Sequence, residues 1–204
     1  MVEEHLIRRG ITDPRVLLAM SKVPRHCFVE PALQGQAYGD HPLPIGMKQT
    51  ISQPYMVGLM TQLLELRGRE RVLEIGAGSG YQTAVLAELA ERVYAVERVK
   101  SLATKARQTI ESLGYHNVMM RIFDGTYGWR EEAPFDAILC AAAAPEIPSR
   151  LVEQLAEPGV MVLPIGDDQS QTLVRVLRRE GKTEVEEHTT CVFVKLIGEY
   201  AWKE

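Results

Sequence analysis

Residues 71–80 read RVLEIGAGSG, a short apolar run that ends in three closely spaced glycines. An apolar run bounded by glycines indicates a buried strand, and the segment that follows, YQTAVLAEL at 81–89, has helical periodicity. Glycines at a strand-to-helix turn let the backbone pass close to a ligand, beside the unpaired N–H groups of a helix start. This stretch therefore predicts a strand, a ligand-binding turn and a helix.

The same alternation of strand and helix continues along the chain. Further strands are predicted at 92–97, 117–123, 135–141 and 159–166, and further helices at 101–114 and 147–156. This spacing is typical of parallel strands joined by crossover helices. The segments 171–179 and 184–198 flank Glu180-Gly181-Lys182 and predict an antiparallel hairpin. We therefore predict an α/β fold, a doubly wound, mostly parallel Rossmann-like sheet with a C-terminal antiparallel hairpin at one edge.

The first third of the chain predicts helices and a loop. A helix at 2–9 would end at Gly10, and Asp13-Pro14 would begin a second helix over 15–23. Residues 38–53 contain many Pro, Gly and Asp residues and predict a long irregular loop. We expect a single domain over 1–204, in which 1–70 form a helical and substrate-loop extension and 71–204 form the binding core.

Composition argues against several classes of partner. The net charge is −4, from 23 Lys and Arg against 27 Asp and Glu, so no basic footprint for nucleic acid is evident. The longest apolar stretches are too short for a membrane span, and the N-terminus lacks the apolar core of a secretory signal. The histidines and the cysteines Cys27, Cys140 and Cys191 show no metal-ligand spacing. We expect a monomeric cytoplasmic protein without metal, nucleic acid or membrane partners.

Acidic residues end three successive predicted strands, and glycines accompany two of them. The set is Glu74 with Gly76, Gly78 and Gly80, then Glu97, then Asp124 with Gly125. The GxGxG spacing is tighter than the dinucleotide GxGxxG, and a carboxylate at Glu74 suits a cationic amino group better than a pyrophosphate. Glu97 lies where an acid can accept from both ribose hydroxyls, and Asp124 could meet an adenine amino group. S-adenosylmethionine has these groups; the alternative is a tight turn with solvent-facing acids.

The stretch GMKQTISQP at 46–54 raises a separate question about Ser52. Serine is a favoured N-cap residue and Pro54 suits the first turn of a helix, so capping is the simpler interpretation. The other interpretation is an active-site hydroxyl. Local pattern alone leaves both open.

Four long segments resemble class I S-adenosylmethionine-dependent methyltransferases, and more narrowly the protein-L-isoaspartate O-methyltransferase family. They are DPRVLLAMSKVPRHCFV (13–29), AYGDHPLPIGMKQTISQPYM (37–56), RVLEIGAGSGYQTAVLAEL (71–89) and FDAILCAAAAPEIP (135–148), with VMVLPIG (160–166) after them. The resemblance implies methylation of the free α-carboxylate of isoaspartyl residues in damaged proteins and peptides, with S-adenosylhomocysteine as product and a succinimide on the route to repair.

The resemblance also implies residue roles. Ser52 is the expected active-site residue, and it would orient the acceptor carboxylate rather than attack. The glycines and Glu74 would lie near the methionine part of the cofactor, Glu97 at the ribose, and Asp124 with Gly125 at the adenine. A carboxylate is already ionised at neutral pH and needs no general base.

Three positions depart from the family pattern. Lys195 and Ile197 stand where proline and threonine are common, which leaves the peptide preference open, and Ala141 stands where a hydroxyl residue is common. A small-molecule methyltransferase and an inactive binding subunit of the same fold remain alternatives. A nucleic-acid amino-methyltransferase would usually show an Asn/Asp-Pro-Pro-aromatic motif, and a nicotinamide-dependent oxidoreductase would prefer GxGxxG.

Overall fold

The computed structural model describes residues 1–203; Glu204, which the predicted domain includes, lies outside the described residues. The strands are β1 (Leu43–Gly46), β2 (Gln49–Ile51), β3 (Arg71–Ile75), β4 (Arg92–Glu97), β5 (Val118–Ile122), β6 (Phe135–Cys140), β7 (Leu155–Gly166), β8 (Gln171–Arg179) and β9 (Lys182–Cys191). The helices are α1 (Pro14–Lys22), α2 (Pro54–Leu63), α3 (Tyr81–Ala87), α4 (Lys100–Ser112) and α5 (Ser149–Val152). None of the helices between residues 1 and 203 combines the length and the apolar composition of a membrane span.

Seven strands within residues 1–203 form one sheet in the order β5-β4-β3-β6-β7-β8-β9. The five neighbouring strands β5, β4, β3, β6 and β7 pair in parallel, whereas β8 and β9 are antiparallel additions at one edge. The chain moves outward from β3 to β5 and then crosses back to β6 on the other side of β3. The predicted fold class is confirmed, and the strand order reverses between β3 and β6.

Strand β3 lies in the middle of the core, and its side chains supply both faces of the sheet. Val72 belongs to a cluster that includes Met60 of α2, while Leu73 and Ile75 belong to a second cluster with Phe135 on the opposite face. All of these side chains are buried. A strand that is buried on both faces of the sheet consists mainly of apolar residues, so the sequence predicts strand β3.

The N-terminal helices differ in detail from the prediction. Val2–Leu6 forms a π-helical turn and Ile7–Arg9 a 3-10 turn, in place of one regular helix, and Gly10 ends them at φ 93°. Helix α1 begins as predicted, because the Asp13 side chain accepts a hydrogen bond from Arg15 N at 2.9 Å.

The segment 38–53, predicted as an irregular loop, contains the antiparallel hairpin β1–β2. Leu43 pairs with Ile51, and both side chains are buried. At the tip, Met47 and Lys48 take φ of 52° and 57°. The prediction is wrong here because burial of the apolar positions outweighs the many Pro and Gly residues.

The predicted helix at 147–156 is only one turn long, and β7 begins inside it. Leu155 pairs with Phe135 at the start of β6. The carbonyl oxygen of Gln154 accepts from Phe135 N at 2.9 Å, so this backbone group pairs with β6 and not with a further helical turn. The prediction is wrong for the second half of this segment, because these partners lie outside it.

The C-terminal hairpin is confirmed, but its second strand is shorter than predicted. Strand β9 ends at Cys191, and residues 192–198 cross to the C-terminal ends of the parallel strands. There Leu196 N donates to the carbonyl oxygen of Ala143 at 2.8 Å. This crossing segment therefore reaches the edge of the sheet where ligands bind in such folds.

We expect Gly80→Ala to destabilise the protein more than Gly114→Ala. Both glycines have positive φ, 88° and 81°, and alanine there costs about 1–2 kcal/mol. A Cβ at Gly80 would also lie 3.0 Å from Ile110 Cδ1 and 3.1 Å from Ala106 Cβ, whereas Gly114 has open space. This overpacking should add about 1–3 kcal/mol to the loss in the free energy of unfolding, measured by urea denaturation. Equal losses in the two variants would contradict the packing argument.

Candidate active site

A cleft of about 850 Å³, counted with its open mouth, lies at the C-terminal ends of the parallel strands. We call it the inner cleft. It lies at the reversal of strand order between β3 and β6, the usual ligand position in open α/β sheets. Its lining includes Gly76, Ala77, Gly78 and Ser79 after β3, Glu97 and Arg98 at the end of β4, Gly125 after β5, and Ala141 and Ala142 after β6. The structure therefore brings most of the predicted site together.

The glycine turn is held by the neighbouring strand. Gly76 N and Ala77 N both donate to the carbonyl oxygen of Val96, at 2.9 and 3.2 Å. Gly78 takes φ of 54°, which L side chains rarely adopt. Gly80 is not part of the inner-cleft lining; it precedes α3 and packs against α4. The sequence grouped it with the other glycines because spacing does not distinguish a ligand contact from a helix contact.

Glu97 lies in the inner cleft with its carboxylate fixed in place. The side chain is 6% exposed, Oε2 accepts from Gly78 N at 2.9 Å, and Oε1 accepts from Val99 N at 2.8 Å. A carboxylate can accept about four hydrogen bonds, so each oxygen keeps one free acceptor position. This geometry suits a pair of neighbouring hydroxyl groups.

Glu74 is buried directly before the glycine turn, behind the inner-cleft lining. Neither carboxyl oxygen has a hydrogen-bond partner within residues 1–203. Burial raises the pKa of Glu74 to about 8, and the negative charge of Glu97 adds to this rise. An unpartnered buried carboxyl group can accept from a cationic amino group or remain protonated.

Asp124 has a different environment from the one predicted. Its Oδ1 accepts from Thr126 N at 2.9 Å and from the Thr126 hydroxyl at 2.7 Å, and its Oδ2 accepts from Glu199 N at 2.8 Å. It is absent from the inner-cleft lining, whereas Gly125 is present. A Cβ at Gly125 would lie 2.5 Å from Ile75 Cγ2, so the turn needs glycine there. Asp124 thus joins its own turn to the C-terminal segment.

Ser52 does not cap α2. The residue before the helix is Gln53, without a side-chain cap, and Pro54 occupies the first turn as predicted. The capping interpretation of Ser52 is therefore wrong, because the helix begins one residue later than that role requires.

Ser52 instead lines two adjoining clefts. Beside the inner cleft lies an outer cleft of about 1230 Å³, again counted with open solvent. Thr50, Ser52, Ala141 and Val194 line both. The outer cleft is further lined by Arg9, Pro42, Gln53, Tyr55, Met56, Thr189, Thr190, Cys191, Val192 and Phe193. Ser52 therefore lies at the junction of the two spaces.

Two further contributors to this site are the crossing segment, which the family resemblance associates with the bound peptide, and Arg25, which the sequence did not indicate. The crossing segment supplies Val194, Lys195, Leu196 and Ile197 to the inner cleft, so two departures from the family pattern lie in its wall. Arg25 donates from Nη2 to the carbonyl oxygen of Ser52 at 2.8 Å. No local pattern marks a buried arginine, although Arg25 stands in a segment that resembles the family. Across residues 1–203 no cluster of three His, Cys, Asp or Glu residues could hold a metal ion, and the absence of a metal stays a prediction.

We expect Glu74→Gln to change how stability depends on pH. The pKa of Glu74 rises from 4.5 to about 8 on folding, so between these values the folded protein holds a proton that the unfolded chain releases. This group therefore makes the wild-type free energy of unfolding fall as pH rises from 5 to 8, by at most about 1.4 kcal/mol per pH unit.

Urea denaturation of both proteins at several pH values measures this effect. The difference in stability, wild type minus Glu74→Gln, should decrease steadily as pH rises from 5 to 8. The exposed Glu91→Gln is the control and should run parallel to wild type. Parallel curves for Glu74→Gln and wild type would contradict the raised pKa.

Comparison with known proteins agrees with this geometry. The model of the family described as protein-L-isoaspartate(D-aspartate) O-methyltransferase matches residues 1–201. A relative from Geobacter metallireducens named protein-L-isoaspartate O-methyltransferase is 59% identical over 203 residues, covering 99% of this chain and 94% of the relative. A relative of the same name from Syntrophus aciditrophicus is 58% identical, with 99% and 94% covered.

A solved structure is also similar along nearly the whole chain. The Plasmodium falciparum protein, described as a protein-L-isoaspartate O-methyltransferase in complex with S-adenosyl-L-homocysteine, has a TM-score of 0.84 and 30% identity, and 96% of each chain is covered. With a family match over 1–201 and relatives that share more than half of its residues, the chain belongs to the protein-L-isoaspartate(D-aspartate) O-methyltransferase family.

Proposed function

We propose that this enzyme transfers a methyl group from S-adenosylmethionine to the free α-carboxylate of L-isoaspartyl residues in damaged proteins and peptides. The methyl ester starts repair through a succinimide. One observation carries the proposal: Ser52 lines both the inner cleft, whose residues suit a nucleoside with an amino-acid tail, and the adjoining outer cleft. Membership of the family gives the acceptor chemistry.

The residues of the inner cleft fit the cofactor. Glu97 has two free acceptor positions for the ribose hydroxyls. Glu74 does not line the cleft; buried directly before the glycine turn with two unpartnered carboxyl oxygens, it would favour the cationic amino group from behind the lining. Gly76 and Gly78 let the backbone approach the methionine part, and Gly125 leaves space at the adenine end. When bound, S-adenosylmethionine supplies a methyl group activated by its sulfonium.

The acceptor side needs little catalytic machinery. A carboxylate with a pKa of roughly 4 is ionised at neutral pH and is itself the nucleophile. Within residues 1–203, no histidine lines either cleft, which agrees with a reaction that needs no general base. Ser52 donates a hydrogen bond to one carboxylate oxygen and orients the other oxygen for transfer, while the cleft walls exclude water.

The outer cleft accommodates the peptide around the isoaspartyl residue. Tyr55, Met56 and Phe193 offer apolar surface, and Val192 is 90% exposed at its rim. A side chain so exposed and apolar gains from contact with a substrate. This cleft favours a peptide acceptor over a small molecule, which would leave most of it empty.

The oligomeric state, the cellular location and the partners of the enzyme are part of the same proposal. The enzyme acts as a monomer in the cytoplasm and has no nucleic-acid partner. The net charge of −4 supports the absence of nucleic acid. Edge strand β9 carries Glu184, Glu186 and Glu187, and charged edge strands disfavour pairing between copies. Cys27, Cys140 and Cys191 are free thiols, in keeping with a reducing compartment.

We expect methyl transfer to an isoaspartyl peptide and none to the matching aspartyl peptide. Radiolabelled S-adenosylmethionine measures both in parallel. Equal labelling of the two peptides, or of neither, would refute the proposed activity. Failure to bind S-adenosylhomocysteine would favour an inactive binding subunit of this fold.

Ser52→Ala should lower kcat/KM for the isoaspartyl peptide by about 10–100-fold, because the acceptor carboxylate loses its orienting hydrogen bond. The affinity for S-adenosylhomocysteine should change less than twofold. Ser21→Ala, which removes an exposed hydroxyl on α1, is the control and should leave turnover intact. Unchanged turnover in Ser52→Ala would show that the Ser52 hydroxyl does not orient the acceptor carboxylate.

Glu97→Ala should weaken S-adenosylhomocysteine binding by about 10–100-fold, since two hydrogen bonds to a charged acceptor are lost. Calorimetry measures the affinity, and urea denaturation confirms that the variant is folded. Wild-type affinity in a folded Glu97→Ala protein would show that the ribose is held elsewhere.

A further inference from the structure

Arg25 is a charged residue in the interior of the protein. It lies in the turn Arg25–Phe28 after α1 and is 0% exposed. Its Nε donates to the carbonyl oxygen of Ala37 at 2.6 Å, and its Nη2 donates to that of Ser52 at 2.8 Å. Its guanidinium lies over the Tyr81 ring, 4.8 Å from the centroid. Three separate parts of the chain therefore meet at one side chain.

This buried charge has no ion-pair partner at contact distance within residues 1–203. Burial lowers the pKa of Arg25 to about 10, so the side chain stays cationic at neutral pH, and electrostatic interactions with the Tyr81 side chain and the Asp40 carboxylate favour that charge. Burying a charge without a carboxylate partner costs several kcal/mol of folding free energy, and an apolar side chain would fill the same space without this cost. Packing alone does not explain an arginine here.

The contacts of Arg25 connect the acceptor side of the site to the cofactor side. Tyr81 is the first residue of α3, directly after the glycine turn, and it lines the inner cleft together with Ser52. The residue after Ser52 is anchored separately, because the Gln53 amide donates to Asp40 Oδ2 at 2.9 Å and to the Asp40 carbonyl oxygen at 3.0 Å. Arg25 thus holds the Ser52 backbone from the side that faces α3.

Guanidinium geometry suits this task. A planar guanidinium donates in two fixed directions at once, whereas a lysine ammonium is a compact charge on a flexible stem. The carbonyl groups of Ala37 and Ser52 are 15 residues apart in sequence and accept from two different nitrogens of the same fork. Hydrogen bonds from a charged donor are also shorter and stronger than neutral ones.

We propose that Arg25 is a positioning residue for methyl transfer: it fixes the Ser52 backbone relative to α3, so that the serine hydroxyl meets the acceptor carboxylate beside the methyl donor. This inference rests on the function proposed above. Arg25 lines neither cleft, so it acts through Ser52 and not by touching substrate.

A double-mutant cycle tests this role with Arg25→Lys, Ser52→Ala and the two together. Arg25→Lys keeps the charge but not the fork, and should lower kcat for the isoaspartyl peptide by about tenfold, with less than twofold change in S-adenosylhomocysteine affinity. In the Ser52→Ala background, Arg25→Lys should cause less than a twofold further loss, because residues that act through one group are not additive.

Arg175→Lys is the matched control. Arg175 is also largely buried, but it lies on β8 and pairs with Glu65 at 2.9 Å and Glu186 at 3.2 Å, away from both clefts. Its variant should leave kcat unchanged even where stability falls. A comparable loss of kcat in both arginine variants would mean that the effect is general destabilisation, and would overturn the inference.

Two other results would also overturn it: a full tenfold further loss in the double variant, or a parallel loss of S-adenosylhomocysteine affinity in Arg25→Lys. A second variant tests the inference if Arg25→Lys does not fold. Replacing Gln53 by its α-hydroxy acid analogue converts the peptide bond after Ser52 into an ester, whose carbonyl oxygen is a weaker acceptor for Arg25. This variant should lower kcat in the same way, and unchanged kcat would refute the inference. Absence of wild-type turnover refutes the proposed function itself, which separates the two failures.

Discussion

The carbonyl oxygen of Val96 holds the glycine turn in place, and the inner cleft depends on this contact. Two successive N–H groups, of Gly76 and Ala77, donate to it, and the next strand end adds Glu97, whose carboxylate accepts from Gly78 N. A turn fixed at both its start and its middle cannot collapse into the cleft. The carboxyl ends of β3 and β4 therefore form one rigid wall for a ligand.

The two ends of the chain complete this wall. The N-terminal extension contributes Ser52 by way of the β1–β2 hairpin, and the crossing segment contributes residues 194–197 after β9. Leu196 N and the carbonyl oxygen of Val194 both bond to Ala143 after β6, which fixes the crossing segment to the sheet. The central sheet and the flanking segments therefore line the inner cleft together, and parts of the same flanking segments also line the outer cleft.

The acidic residues of this site differ in role from one another, and so do its glycines. Glu97 faces the cleft with free acceptor positions, while Asp124, at the end of the neighbouring strand, uses both oxygens to join its turn to Glu199. Gly78 lines the cleft, while Gly80 allows α3 to approach α4. The reaction needs few chemically specialised groups, because the acceptor is already ionised. Position, more than residue type, therefore determines what each side chain does.

Strand period, glycine conformation and strand-end position are local properties, so the alternation of strands and helices, the glycine turn after β3 and the acid at the end of β4 could be predicted from the sequence. The partners of Asp124 and Arg25 and the start of β7 could not be predicted in this way. The partner of Asp124 lies 75 residues away, and Arg25 acts on a carbonyl 27 residues away. The start of β7 inside a predicted helix has the same origin in distant contacts. Such partners become neighbours only when the chain packs, so no local pattern records them.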